Sequence, residues 1–274
     1  MEPIRPLMEV KHLTKRYRDN SYLRRTSVQA LNSISVTIPY SQTIGIVGES
    51  GSGKSTLGRI MTNLERPDEG DILYQEVSLK RMTQRERKEF RRNVQIIFQD
   101  PVSSLNPRFN VEQILSEPFY LQNKPLFRDK GALKQRILEM LREVGLEPSL
   151  LDHLPRNMSG GQCQRVSISR AFALKPKLIV CDESLSALDI SVQTTMIALL
   201  KRLQRDHGTS YMFITHDLKV ARAICDYIYV MKDGQVVDEG SPSYLMNESM
   251  QPYVQELRNA ILELRQSPAL TARG

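Results

Sequence analysis

Gly48-Glu49-Ser50-Gly51-Ser52-Gly53-Lys54-Ser55 lies between Thr43-Ile44-Gly45-Ile46-Val47, which reads as a buried strand, and Ser55 to Leu64, which reads as a helix. A loop of this composition in this setting predicts a phosphate cradle, because backbone N–H groups converge at a helix N-terminus whose dipole also favours negative charge. Glycines admit backbone angles closed to other residues and leave no Cβ in the path of phosphate oxygens. Lys54 then sets a point charge against β- and γ-phosphates, and the Ser55 hydroxyl, followed by Thr56, is the expected protein ligand of Mg2+. A Gly-rich turn between strand and helix meets the same pattern without binding anything. The downstream sequence has to decide between the two.

At 274 residues the chain is long enough for one domain with an inserted lobe. Lys plus Arg number 38 against 31 Asp plus Glu, and the net charge of +7 permits nucleotides, anionic lipid or nucleic acid as partners without choosing among them. Arg85 to Arg92 has the density of a nucleic-acid arm, but its interleaved acids and Phe90 suit a solvated helix better. Cys163, Cys181 and Cys225 lie far apart with no CxxC spacing, which argues for reduced cytosolic thiols and against disulfides or an iron–sulfur site. Met1 to Val10 lacks the basic and apolar regions of a signal peptide, and no apolar run approaches the ~20 residues of a membrane helix.

Apolar residues recur with strand spacing over Met8 to Tyr17 and Val28 to Pro39, joined by the polar link Arg18 to Ser27, and predict an antiparallel flank. Pro67 to Gly70 reads as a turn, Asp71 to Tyr74 and Val94 to Phe98 as strands. From Pro101 the period changes, and Val111 to Leu121 and Ala132 to Val144 read as helices of a separate lobe. Alternation then returns: strand Leu178 to Cys181, helix Ser191 to Arg205, strand Ser210 to Ile214, which implies a parallel sheet with crossover helices. Tyr227 to Val230 and Gln235 to Val237 are short strands, Pro252 to Leu264 a helix, and the residues from Gln266 on a frayed tail.

Leu178 to Cys181 runs directly into Asp182 and Glu183, the way a buried strand delivers carboxylates to the sheet edge where phosphates sit. Strand alternation would turn Asp182 to Mg2+ and Glu183 to the attacking water. His216, just after the strand Tyr211 to Ile214, stands at another strand end and within reach of a γ-phosphate, although a lone histidine is more often structural. Met158-Ser159-Gly160-Gly161-Gln162 places small residues before a helix over Val166 to Leu174. It reads either as a second anion-facing helix end or as a Ser N-cap with a Gly turn.

In this order the motifs resemble the nucleotide-binding subunit of an ABC transporter, nearly end to end. The resemblance implies an α/β fold: a P-loop NTPase core with a mainly parallel sheet, an antiparallel β flank and an inserted helical subdomain. It implies one ABC ATPase domain with core 1–100 and 171–250, helical subdomain about 101–170, and C-terminal helix and tail 251–274. It assigns Tyr17 to adenine stacking, Gln99 to sensing Mg2+ and water, Glu183 and His216 to catalysis, and Ser159, Gly160, Gly161 and Gln162 to the signature that closes over ATP held by the opposite subunit. Ser186-Ala187-Leu188-Asp189 would join the two sites. Met158 replaces the usual leucine, Cys163 stands where a charged or polar residue is common, and Ser184 replaces a proline, so a lowered rate is compatible with an intact catalytic set.

Gln99-Asp100-Pro101, Ser103 to Arg108 and Gln251-Pro252-Tyr253 further resemble the ATPases of dipeptide, oligopeptide and nickel importers. That implies membrane permease subunits, a homologous ATPase partner (a heterodimer before a homodimer), an extracytoplasmic binding protein, no nucleic acid, and a peripheral place on the cytoplasmic face of the bacterial inner membrane. Rival readings are a soluble ABC ATPase acting on ribosomes or nucleic acid, a P-loop kinase or GTPase, and an exporter cassette. Pro101 to Leu121, with Phe109, Ile114, Leu115 and Phe119 in a polar setting, is the expected docking surface for the permease, where changing Phe109 or Phe119 should uncouple transport and spare basal ATPase.

Overall fold

Runs of Val, Ile and Leu set the sheet, and the ends of those runs set the site. The computed structural model describes residues 5–19, 26–185 and 189–266. The strands β1 (Met8–Asp19) and β2 (Thr26–Ile38) pair antiparallel, with Val10 opposite Val36. After β3 (Thr43–Val47) and α1 (Lys54–Met61) come β4 (Glu69–Tyr74), which pairs with β1, and the short β5 (Val77–Ser78). Helix α2 (Gln84–Asn93) leads into β6 (Val94–Ile97). Four helices follow without a strand: α3 (Val111–Gln122), α4 (Lys124–Arg128), α5 (Lys130–Glu143) and α6 (Gly160–Phe172). The chain then returns through β7 (Leu178–Asp182), α7 (Ile190–His207), β8 (Ser210–Thr215), α8 (Leu218–Ile224), β9 (Tyr227–Lys232), β10 (Gln235–Gly240), α9 (Pro242–Asn247) and α10 (Pro252–Gln266).

Two sheets result: an antiparallel one in the order β2-β1-β4-β5, and one in the order β10-β9-β3-β8-β7-β6 in which every pairing is parallel except β9 with β10. The larger sheet is covered on both faces, as a parallel sheet requires. Ile44 and Ile46 of β3, Val180 of β7 and Met212 and Ile214 of β8 pack toward the antiparallel sheet and α1. The alternate residues Val47, Ile179, Cys181, Tyr211 and Phe213 pack toward α3, α5, α6 and α7. Side chains of period two explain the division. All three cysteines are buried and free, and burial pushes the Cys181 thiol up to about 12. Among the described residues no helix is long and apolar enough to cross a membrane.

The α3 segment corrects the expected docking surface. Val111, Ile114, Leu115 and Phe119 recur at helical spacing and are each at most 2% exposed, forming the core against α5 and α6. Phe109 is half-buried against the same cluster. An apolar residue in a polar setting is, here, the inner face of an amphipathic helix. Phe119→Ala should therefore cost about 3–5 kcal/mol in unfolding free energy, measured by denaturant titration, with ATPase and transport falling together. The helix over Arg85 to Arg92 is present as α2, capped reciprocally by Thr83 and Glu86, with Phe90 buried. Residues 20–25 of the polar link, 186–188 of the segment expected to join two sites, and the expected tail at 267–274 lie outside the described residues.

Candidate active site

Parallel register brings the strand ends to one edge of the sheet: Val47 is paired with Thr215, and Asp182 with Ile214. The loop after β3, the two carboxylates after β7, His216 after β8 and Gln99 after β6 therefore share that edge, the place where open α/β sheets bind ligands. Gly51 and Gly53 have φ of 84° and 100°, the left-handed region that side chains disfavour. Beside Gly51 a Cβ would meet nothing within 4 Å, so that side of the loop is open ground for phosphate oxygens. The helix begins at Lys54 and ends at Met61, shorter than the Ser55 to Leu64 expected.

Lys54 is 3% exposed, and its Nζ donates to the Glu49 carbonyl at 2.6 Å and lies 3.9 Å from Glu183 Oε1. Burial pushes its pKa down, against the opposing pull of Glu183, Asp182 and Glu49. Burial likewise raises Asp182, while a hydrogen bond from Ser55 Oγ to Asp182 Oδ1 at 2.9 Å acts the other way. Each group sits in an environment that disfavours its charge, which a triphosphate and a divalent cation would relieve. Ser55 and Asp182 supply hard oxygens, and Mg2+ takes few protein ligands and completes its shell with water and phosphate oxygens.

Glu183 reaches the site by a different backbone route from the one expected. Strand alternation does not place it, because β7 ends at Asp182 and Glu183 turns out of the strand at φ 45°. Its N–H donates to the Ile214 carbonyl at 3.1 Å, and its carboxylate accepts from Gln99 Nε2 at 3.1 Å and stands 3.8 Å from His216 Nδ1. A left-handed non-glycine at such a point is strain held by its surroundings. It brings Gln99, His216 and Lys54 around the Glu183 carboxylate.

Tyr17 is not a core residue: it is 38% exposed on β1, with its ring 5.5 Å from Lys15 Nζ and its hydroxyl 3.5 Å from Arg59 Nη2 on α1. Arg59 in turn binds Glu65 at 3.3 Å and Thr56 Oγ1 at 3.2 Å. Lys15, Arg59 and Glu65 were not singled out in the sequence, where nothing in their spacing joins them to Tyr17.

The Ser159 segment opens α6, the last helix before the chain returns to the sheet. Helix α6 starts at Gly160, earlier than the expected Val166, and the N-cap reading of the segment holds: Ser159 Oγ accepts the Gln162 N–H at 3.2 Å and Gln162 Oε1 accepts the Ser159 N–H at 2.9 Å. Ser159, Gly161 and Gln162 border an open groove toward Ser191 and Val192 on α7. Among the described residues no hydrogen bond or ion pair joins Ser159 to Gln162 with the phosphate loop. Cys163 is fully buried with its Sγ donating to the Pro155 carbonyl at 3.5 Å, Met158 packs on the core, and Ser184 is buried.

Residues 31–186 match the family model described as ABC transporter. The chain belongs to the ABC transporter family. It is an ATP-hydrolysing subunit of that family. The chain is 39% identical over 260 residues to the oligopeptide transport ATP-binding protein OppF of Haemophilus influenzae, covering 93% of this chain and 78% of the relative. It is 41% identical over 233 residues to the nickel import ATP-binding protein NikE of Escherichia coli O157:H7, covering 85% and 86%. A dimeric ATP-binding cassette in a post-hydrolysis state, bound to ADP and Pi, superposes with a TM-score of 0.74 at 30% identity, over 86% of this chain and 98% of that one. The cbiO1 protein of Clostridium perfringens, part of the ABC transporter complex cbiONQ, gives 0.75 at 28% identity over 95% and 96%. The expected α/β P-loop ATPase fold of this ABC subunit is thereby borne out.

Proposed function

We propose that this ABC subunit energises a membrane importer of peptides or of nickel and other metal chelates, from the cytoplasmic face of a bacterial inner membrane. The observation that carries the reading is the division of the site. Lys54, Ser55, Asp182, Glu183, Gln99 and His216 stand at one sheet edge, while the capped Ser159–Gln162 turn stands apart from them on α6. A second subunit, a homologous ATPase or another copy, supplies the missing side by laying its own Ser159–Gln162 turn over the nucleotide. The dimeric ADP-bound relative and the importer relatives support this.

In this scheme Tyr17 stacks on adenine, residues 48–56 hold the phosphates, and Lys54 sets its charge against the β- and γ-oxygens. Bound Mg2+, held from the protein side by Ser55 and Asp182 with Gln99 nearby, would neutralise charge developing on those oxygens. Glu183 polarises the attacking water, and His216 donates to the γ-phosphate. Once that phosphate leaves, the contacts that favoured the closed dimer are gone, so hydrolysis shifts an open and closed equilibrium. We assign residues of about 101–170 to the lobe that relays this shift to the permease. Within it, a groove bordered by the exposed Tyr120 and Leu121 is the surface offered for docking.

The deciding experiment isolates the intact complex from membranes by a tag on this chain and identifies its contents by mass spectrometry. Expected are permease subunits, a second ATPase, and an extracytoplasmic binding protein carrying a peptide or chelated nickel. Recovery with ribosomal or nucleic-acid components and no membrane subunit would overturn the proposal.

A further inference from the structure

The Gln251-Pro252-Tyr253 stretch has no part in the site as described, yet its tyrosine is joined to the phosphate loop. Tyr253 Oη accepts the Glu49 N–H at 2.8 Å, across 204 positions of sequence. We infer that Tyr253 is a positioning residue for nucleotide binding, its hydroxyl fixing the Glu49 peptide so that the start of α10 sets affinity for the triphosphate. This rests on residues 48–55 being the triphosphate cradle.

Glu49 is the point where the loop's path is decided. Its carbonyl accepts from Lys54 Nζ at 2.6 Å and from the Ser52 N–H at 3.3 Å, so the peptide plane after its Cα is held by the loop itself. The plane before its Cα is held by Tyr253. Because peptide units are planar, holding both planes leaves Glu49 a single backbone conformation. Elsewhere the loop is braced by the β9–β10 turn, where the Gly234 N–H donates to the Ser52 carbonyl at 3.2 Å. Gly48 passes so close to the Met231 carbonyl that a Cβ would lie 2.1 Å from it.

Tyr253 is itself delivered to a fixed place. It is 3% exposed, followed by fully buried Val254, with the Lys232 ammonium 4.5 Å from its ring centre. Its N–H donates to Gln251 Oε1 at 3.1 Å, Gln251 Nε2 reaches the Val237 carbonyl on β10 at 3.4 Å, and the Gln251 N–H is accepted by Ser249 Oγ at 3.3 Å. The Ser249 hydroxyl donates to the Asp238 carboxylate. Pro252 opens α10 with a preset φ. The Gln251 and Ser249 side chains thus anchor the stretch to β10, with the phenol at the loop.

Tyr253→Phe in the full chain keeps the ring, its packing and its contact with Lys232, and deletes only the hydroxyl. Expected is an ATP dissociation constant raised about 3–10-fold, the effect of one neutral hydrogen bond, measured by titration calorimetry. KM for ATP should rise in the same proportion with kcat at saturation unchanged, and the Glu49 amide should exchange its hydrogen faster. Lowered thermal stability with unchanged ATP affinity, KM and Glu49 exchange would make Tyr253 a packing residue and overturn the inference. If the wild-type chain and Lys54→Ala bind ATP alike, the cradle reading itself fails. If wild type outbinds Lys54→Ala while Tyr253→Phe equals wild type, only the Tyr253 assignment does.

Discussion

Glu183→Gln should keep ATP bound, lose steady-state hydrolysis by about 10²–10⁴-fold, the usual effect of deleting a general base, and accumulate as an ATP-bound dimer. The amide has the carboxylate's shape and retains an oxygen for the Gln99 contact at 3.1 Å. It cannot draw a proton from water. With the γ-phosphate uncleaved, the interactions that favour closure persist, and the closed state becomes the end point instead of a passing one. The carboxylate both raises Asp182 and counteracts the downward shift of Lys54. Removing it changes two opposing interactions, so thermal unfolding should move little while turnover collapses. Size-exclusion chromatography with ATP and Mg2+, beside a phosphate-release assay, reads both outcomes. Full turnover by the variant would falsify the role given to Glu183.

What could be read from the chain follows a physical divide. Residues placed by a strand end were legible: the run Leu178 to Cys181 had to finish at the edge where Thr43 to Val47 finishes, and Asp182 followed. Residues placed by a local backbone exception were not. Nothing in Asp182-Glu183 announces a left-handed turn, because glutamate gives no signal for that region, so the backbone device that carries its side chain could not be read from alternation. Periodicity showed that Ile114, Leu115 and Phe119 share a face but not whether another element covers it, and α5 and α6 do. The glycines at 160 and 161 weaken helix propensity, which hid the true start of α6, while the Ser159–Gln162 capping pair that offsets them was present in the sequence. Helices α8 and α9, of seven and six residues, are too short for a periodic pattern. The Tyr17 tether and the Tyr253 contact depend on distant segments meeting.

Lys54→Ala should weaken ATP binding by roughly 10²-fold or more, since charge-assisted hydrogen bonds contribute about 1.5–3 kcal/mol each and the proposed scheme sets the lysine against two phosphates. The buried setting makes the loss larger than at a surface: an ammonium already 3% exposed enters the interaction with little water left to shed. Lysine also opposes the upward shift of Asp182, which burial causes first and the nearby Glu183 carboxylate adds to. Without it, Asp182 should be pushed up further. An acid whose folded pKa is raised binds its proton more tightly when folded, so its contribution to stability falls as pH rises through the acid range. The variant's unfolding free energy should accordingly decline more steeply than that of wild type as pH rises from the carboxylate range toward neutrality. Nucleotide titration at neutral pH and paired denaturant curves across that range measure the two effects separately. Affinity close to wild type together with parallel pH profiles would show that Lys54 neither meets the phosphates nor balances the carboxylates.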